Sequence, residues 1–551
     1  MNSLKEEKKR LVIYSFFDNV QFVDDYILEF LVGIKKAVSY VIVIAPKGLK
    51  NQERTKITRY ADEVVYTDTS GKQNYQQGIQ HAGYSALNNY DEIILCSNEW
   101  FGPLCPFSDL FTLMHEKNSD FWSVSKKNAV SFIAFSKRII LESHFRKFWD
   151  REYARTEMIQ FFLNAGYKFE TYVEDTDVES AIVTKKCPII SKTFFCGSYD
   201  INFVNRHTDS TKWMMNYITE KTPFDSGLIW KYLIRTQNMA DIKKNMQLNY
   251  VVSSKIPHAE EGHMKIALVL HIYFSDLALY CRKYAESMPE GTDVYITVPD
   301  KQKLEEVKKA FENFPYHTEY RITGNRGRDV APFVVGCKDV IDKYDLICKM
   351  HDKKVFHVHP MSLGHSWSYK CFECLLRDKT SVNNIIALFQ KYPYLGMVCP
   401  PVPNHGPYYP ITGKGEWGSN YSVVKKLAEE LRLHVDISSE KEPVAPLGSM
   451  FWARAEALKP LFAHDWQYEE IPEEPLADDA TILHAIERIY PFCVQEAGYY
   501  TAWVMTDHYA RIELDNLEYL NQGLLRAEME KSGKLPFHDM LEKIRNRRSE
   551  I

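Results

Sequence analysis

Ile266-Ala267-Leu268-Val269-Leu270-His271-Ile272-Tyr273 is an apolar run of strand length, and together with the segments after it this run decides the fold. The chain goes on with a helix-like stretch from Leu277 to Ser287, a strand from Asp293 to Val298, a helix from Lys301 to Phe311 and a strand from Thr318 to Ile322. Strands alternating with helices of this length predict an α/β domain of the nucleotide-binding kind, whose ligands sit outside the carboxyl ends of the strands. The third strand runs straight into Gly324-Asn325-Arg326-Gly327-Arg328-Asp329-Val330-Ala331-Pro332-Phe333. Glycines let a backbone approach a ligand closely, guanidinium groups fork onto phosphate oxygens, and a carboxylate accepts from a base or a ribose hydroxyl. The run therefore reads as a grip for a diphosphate. The alternative is a tight glycine turn with solvated arginines.

The same pattern occurs twice. Leu11-Val12-Ile13-Tyr14-Ser15-Phe16-Phe17 is echoed by Ala267 to Phe274, and Tyr90-Asp91-Glu92-Ile93-Ile94-Leu95 by Tyr344-Asp345-Leu346-Ile347-Cys348-Lys349, at an offset of roughly 255 residues. Ser131 to Arg138 parallels Gly448-Ser449-Met450-Phe451-Trp452-Ala453-Arg454. A period this long predicts a domain duplication rather than a solenoid. The expected division is an N-terminal domain over 1–184, a structured connector over 185–263, a C-terminal domain over 264–515 and a helical basic tail over 516–551.

Composition narrows the class. The 551 residues are 45% hydrophobic and 26% charged, as in a soluble globular protein with two or more cores. A net charge of -5 offers no general attraction to nucleic acid, so any anionic ligand needs a local basic patch. Eleven cysteines, an odd count without framework spacing, fit reduced thiols in a cytosolic compartment. The charged start, Met1 to Arg10, has no signal-peptide core. Lys531 to Arg548 interleaves Leu535, Phe537, Met540, Leu541 and Ile544 with basic residues, which suits either an anionic membrane surface or a helix packed on its own domain.

Two constellations carry candidate chemistry. The strand ending Cys348-Lys349-Met350 runs into His351-Asp352-Lys353-Lys354, so an imidazole, a carboxylate and three ammonium groups meet at the ligand edge. Asp352 is the one carboxylate there able to meet a divalent ion, Mn2+ or Mg2+, while the lysines would neutralise a leaving diphosphate directly. His351, His357 and His359 offer an alternative reading as zinc ligands. The second constellation is Glu473-Glu474-Pro475-Leu476-Ala477-Asp478-Asp479-Ala480-Thr481, opening a helix that carries His484. Its acids cap the helix in one reading. In the other, Asp479 is the general base that activates a sugar hydroxyl, with His484 assisting. Gly448 leaves room for the sugar, and Tyr408, Trp417 and Tyr421 form an aromatic, proline-rich loop that either suits its apolar face or only packs.

With these residues in view, the chain resembles the rhamnan synthesis F family of bacterial polysaccharide glycosyltransferases. Asn325 to Asp329, the strand to Lys354, Gly448 to Arg454, and Asp479-Ala480-Thr481 with His484-Ala485 and Glu487-Arg488 carry the resemblance, which covers most of the chain. It implies two tandem GT-A-like domains, a nucleotide-activated donor such as dTDP-L-rhamnose, and a lipid-linked oligosaccharide acceptor at the inner face of the cytoplasmic membrane. The residues expected at the donor are Asn325, Arg326, Gly327, Arg328, Asp329, Lys349, His351, Asp352, Lys353 and Gly448. The first copy departs from the pattern, with Ser70-Gly71-Lys72-Gln73-Asn74-Tyr75 in place of the arginine loop, and Glu99 and Glu157 as its nearest acids. It is therefore expected to be a weak or inactive copy that binds acceptor or stabilises the pair. The reading outside catalysis is a glycan-binding or scaffold subunit with both copies degenerate.

Overall fold

The computed structural model describes residues 8–69, 72–126, 129–150, 157–173, 182–184, 186–199, 210–257, 263–354, 362–405, 408, 413–477 and 479–532. Ser70, Gly71, His357, His359, Asp478 and the tail from 533 lie outside them. The chain divides into two compact units, one of residues 1–196 with 210–232, the other of 197–209 with 233–551.

The first unit is built on β1 (Arg10–Ser15), β2 (Tyr40–Pro46), β3 (Glu63–Thr67), β4 (Glu92–Ser97), β5 (Trp100–Phe101), β6 (Phe121–Ser123), β7 (Phe132–Ser136), β8 (Phe169–Thr171) and β9 (Ile190–Ser191). Its main sheet runs β3-β2-β1-β4-β7-β6-β8, and β5 pairs with β9. β7 is antiparallel to β4 and β6, whereas the other neighbours are parallel.

The second unit uses β10 (Asn249–Val252), β11 (Ile266–His271), β12 (Asp293–Val298), β13 (Thr318–Ile322), β14 (Leu346–His351), β15 (Leu395–Cys399), β16 (Phe451–Arg454) and β17 (Tyr500–Thr506). Their order, read from β13, is β13-β12-β11-β14-β16-β15-β17-β10. Again one strand, β16, opposes both neighbours. The two sheets thus share order and direction, and the second gains β10 at its edge.

A hydrogen-bond staple repeats as well. The Lys265 amide donates to the Asp345 carboxylate at 2.8 Å as the Lys9 amide does to Asp91 at 2.9 Å. The carbonyls of Asp345 and Asp91 then accept from Ala455 and Lys137 at the ends of β16 and β7. The same staple thus closes both sheets at matching places.

The expected elements from 266 to 322 all appear, with ends shifted by a few residues. β11 and β14 are buried at every residue, as central parallel strands are. The stretch 185–263 is divided between the units rather than forming a separate connector. Its later part is tied to the second unit: β10 pairs in parallel with β17, and Gln495 donates to the carbonyls of Ile234 and Gln237 at 2.7 and 2.9 Å. The expected boundary at 515 falls inside one continuous helix, Asp507–Ser532. Among the described residues, no helix is long and apolar enough to cross a membrane.

Candidate functional site

The carboxyl ends of β11, β12 and β14 in the second unit carry His271, Thr297, Lys349 and His351, all buried polar groups in otherwise apolar strands. Such groups persist in a core only where partners satisfy them. Register explains their meeting: His271 and His351 face each other across β11 and β14. The arginine loop after β13 brings Asp329 over them. It can do so because Gly324, Gly327 and Arg328 take positive φ angles of 73°, 78° and 51°. At Gly327 a Cβ would lie 2.4 Å from the Ala331 Cβ and 2.8 Å from Ile471, so a side chain is excluded there.

Asp329 is the centre of the cluster. Its carboxylate pairs with the Lys349 Nζ at 2.8 Å and lies 3.8 Å from the His351 Nε2. Burial alone would raise its pKa, but His351, Lys349 and Lys353 outweigh that and hold the carboxyl well below the usual carboxylate range. Lys349 also donates to the Ser449 carbonyl at 2.8 Å, and its side chain is only 2% exposed. This differs from the expected role. A buried ammonium bonded to Asp329 and Ser449 does not reach a leaving group; it positions Asp329 and the 448–449 backbone. His351 faces the carbonyls of Asp352 and Gly448 with its two ring nitrogens, at 2.6 and 2.7 Å. Only an imidazolium donates at both. Burial, with Lys349 and Lys353 adding to it, takes its pKa below the usual imidazole value although Asp329 opposes them. His271 is neutral, since burial takes its pKa down to about 3.

Asp352 also differs from its expected role. Its oxygens accept the Tyr273 and Phe274 amides at 3.1 and 2.5 Å, tying down the chain after β11, and burial raises its pKa to about 7. Lys303 and Lys354 are its charged neighbours. Among the described residues, no three His, Cys, Asp or Glu side chains converge as ligands. A single carboxylate already bonded by two amides, in cationic company, does not suit a divalent ion.

The arginines brace a neighbouring loop. Arg326 donates its Nε to the Ile471 carbonyl and sits 3.5 Å from Glu473, while the Arg328 Nε pairs with Glu474 at 3.0 Å. The Arg328 side chain is 43% exposed, and its terminal nitrogens have no partner among the described residues. Asn325 is exposed. Arg328 is thus the cation best placed to meet a ligand at the loop.

Asp479 accepts the Ser419 amide at 2.9 Å and the Asn420 Nδ2 at 2.5 Å. Burial opposes its charge, yet these bonds, the Ala480 amide and Arg488 hold its carboxyl below the ordinary range, so it is ionised at neutral pH. His484 bonds the Thr481 hydroxyl through Nδ1 at 2.8 Å. Burial lowers its pKa, while Glu487 and Asp479 oppose that. Gly448 has φ 94° and is clamped from both sides: its amide donates to Glu487 at 2.8 Å, and its carbonyl faces His351. Lys353 lies 4.0 Å over the Trp367 ring, whose indole backs onto Gly448.

Local sequence reading missed Lys303 and Trp367 as parts of this site, and Glu487 entered it only through the family resemblance. Each is an unremarkable helix residue until the fold brings it to the edge. The aromatic loop divides: Trp417 is buried, donates to the Lys441 carbonyl at 2.6 Å and stacks on Phe492, and the Tyr421 hydroxyl donates to Ile437. Trp417 is a core residue, and Tyr421 packs half-buried against that core. Tyr408 packs edge-on to Trp367 with ring centroids 5.1 Å apart.

In the first unit the same places are neutral. Asn74 is buried, donates to the Ser15 hydroxyl at 3.0 Å and accepts from Thr69 at 2.8 Å, where the second unit has Asp329 over His271. Asn98 bonds both backbone groups of Phe17, as Asp352 holds Tyr273 and Phe274.

A family model described as rhamnan synthesis protein F matches residues 41–499. The chain belongs to the rhamnan synthesis protein F family. Across 236 residues the protein is 30% identical to the Xanthomonas campestris pv. campestris (strain B100) protein named "Uncharacterized protein WxcX", covering 42% of this chain and 32% of that one. The match therefore spans about a third of the length of that curated relative. Among solved structures, the glycosyltransferase GlyE in Streptococcus pneumoniae TIGR4 is 10% identical, covering 65% of this chain and 90% of that chain with a TM-score of 0.22. Its apo form is 11% identical, with the same coverage and a TM-score of 0.20. The rhamnan synthesis match takes in β11 to β16, and so every residue of this cluster from His271 to Gly448.

Proposed function

We propose that this protein is a glycosyltransferase of polysaccharide synthesis that transfers a sugar, L-rhamnose, from a nucleotide-activated donor such as dTDP-L-rhamnose to a lipid-linked oligosaccharide. Catalysis belongs to the second unit, and work at the inner face of the cytoplasmic membrane is the corollary of such an acceptor. The observation that carries the reading is Asp329, held ionised by Lys349 and His351 at the carboxyl edge of the sheet and flanked by Lys353 and Arg328. A carboxylate for sugar or nucleoside hydroxyls beside cations for a diphosphate is the chemistry of a nucleotide-sugar site.

In the proposed reaction the acceptor hydroxyl attacks the anomeric carbon, its proton passes to Asp479, and the bond to the nucleoside diphosphate breaks with inversion. Arg328 and Lys353 stabilise the departing charge, and Lys349 holds the floor beneath it. Family membership and the cationic edge support this reading. Arg328→Ala should weaken binding of the preferred nucleotide sugar by tenfold or more, since a hydrogen bond to a charged group contributes about 1.5–3 kcal/mol. Calorimetry with a panel of nucleotide sugars, with and without manganese, measures this; failure of every donor to bind sinks the proposal. Because the lysines supply the charge, EDTA should leave transfer running, and a complete EDTA block reversed by Mn2+ would refute that part. One observation favours the scaffold reading instead: both Asp479 oxygens are already bonded to Ser419 and Asn420. Donor binding without turnover would decide for it.

A further inference from the structure

We infer that the first unit, though its Asp329 counterpart is neutral, carries an anion site of its own centred on Lys192, which takes a phosphate or diphosphate ester.

Lys192 comes directly after β9, which pairs with β5 just past the end of β4, and so lies at the ligand edge of the first sheet. It is 8% exposed. Its ammonium lies 4.8 Å from the Tyr232 ring centroid and 5.8 Å from that of Tyr26, between two rings that meet at 78°. No carboxylate among the described residues pairs with it, and its Nζ is not among the sealed, unpartnered atoms, so it still reaches solvent. Aromatic faces offset only part of the cost of taking a cation out of water. An ammonium held in this way is incomplete without an anion.

The placement matches that of a cation in the other copy. Ser15 pairs with Ser97 at the ends of β1 and β4 as His271 pairs with His351 at the ends of β11 and β14. Two residues further on stand Glu99 and Lys353. Glu99 is exposed and forms no ion pair with Lys192, but its carbonyl accepts the Lys192 amide at 2.9 Å. The position from which the second unit projects Lys353 onto Trp367 is therefore the one beside which the first unit seats Lys192 between tyrosines. A different element supplies the cation, and the lysine-on-aromatic arrangement recurs. Rings beside an ammonium suit a ligand that joins phosphate to an apolar body, either a nucleoside diphosphate or a lipid diphosphate. That choice of ligand rests on the nucleotide-sugar reading; the anion site does not.

Calorimetry of the full chain with inorganic pyrophosphate tests the site. Two sites are expected, one weakened tenfold or more by Lys192→Met and the other by Arg328→Ala, with Lys192→Arg retaining both. Loss in Arg328→Ala alone overturns this inference and leaves the donor site standing, whereas loss in Lys192→Met alone does the reverse. A footprint on the unaltered chain guards against a variant that fails to fold: pyrophosphate should slow acetylation of Lys192 several-fold, read by peptide mass spectrometry. Unchanged acetylation overturns the site. The two sources separate by competition. Displacement of pyrophosphate from the Lys192 site by dTDP assigns it to a nucleotide; Lys192-dependent binding to phosphatidylcholine vesicles carrying undecaprenyl diphosphate assigns it to the lipid.

Discussion

Lys349→Met should destabilise the second unit by about 3–5 kcal/mol at neutral pH and abolish donor binding, because it leaves the Asp329 carboxylate largely buried without its main cation. The Lys349 side chain is 2% exposed and that of Asp329 17%, so water cannot take the ammonium's place. The pH dependence identifies the cause. In the wild type the pKa of Asp329 is depressed, so the pair's contribution is present above the unfolded value, about 3.9, and is lost as pH falls through the folded one. In the variant, burial acts on Asp329 with less opposition and its pKa rises. The deficit should therefore be largest above about pH 5 and shrink on acidification as Asp329 protonates. Urea unfolding across pH measures this. Adding Asp329→Asn should restore much of the stability without restoring donor binding, because the uncompensated charge is gone while the carboxylate is still missing. A deficit that does not change with pH and survives the second substitution would show that the pair is not its source.

Asp479→Ala is expected to lower transfer by about 10²–10⁴-fold, the usual worth of a positioned base, while donor affinity changes little. Asp479→Asn separates charge from shape. The asparagine oxygen can still accept the Ser419 amide, but its amide nitrogen would then face the Asn420 Nδ2, donor against donor. Relief by an Asn420 flip would cost the bond from the Ala480 amide to Asn420 Oδ1, now 3.0 Å. The Asn variant should thus lose catalysis as fully as the Ala variant and some loop order as well. Initial rates at saturating donor, beside calorimetric donor affinity, distinguish the cases. Transfer within threefold of wild type in both variants would remove Asp479 from the mechanism and leave His484 or Glu487 to be tested as base.

Much of the fold was legible because its signals are local. The apolar runs that became β11, β12 and β14, the helices between them, and the glycine-arginine loop depend on residues close in sequence. The repeat was legible too, since matched strands kept their spacing. Partnership was not. Arg326 and Arg328 look like phosphate ligands in the sequence, yet each first braces the 469–474 loop, some 145 residues away. Lys349 and Asp352 look like site groups facing solvent, but one is a buried counter-ion and the other an anchor for two amides. Trp417 reads as a sugar platform and packs against Phe492.

By itself, then, the sequence determined the order of strands and helices, the recurrence of the strand pattern and the loop that delivers Asp329, because hydrophobic period and glycine freedom act over a few residues. Only the tertiary structure decided which charges are spent inside the protein and which are left for a ligand. That outcome turns on burial and on partners distant in the chain, such as Lys349 for Asp329, Glu487 for Gly448, and two tyrosines for Lys192.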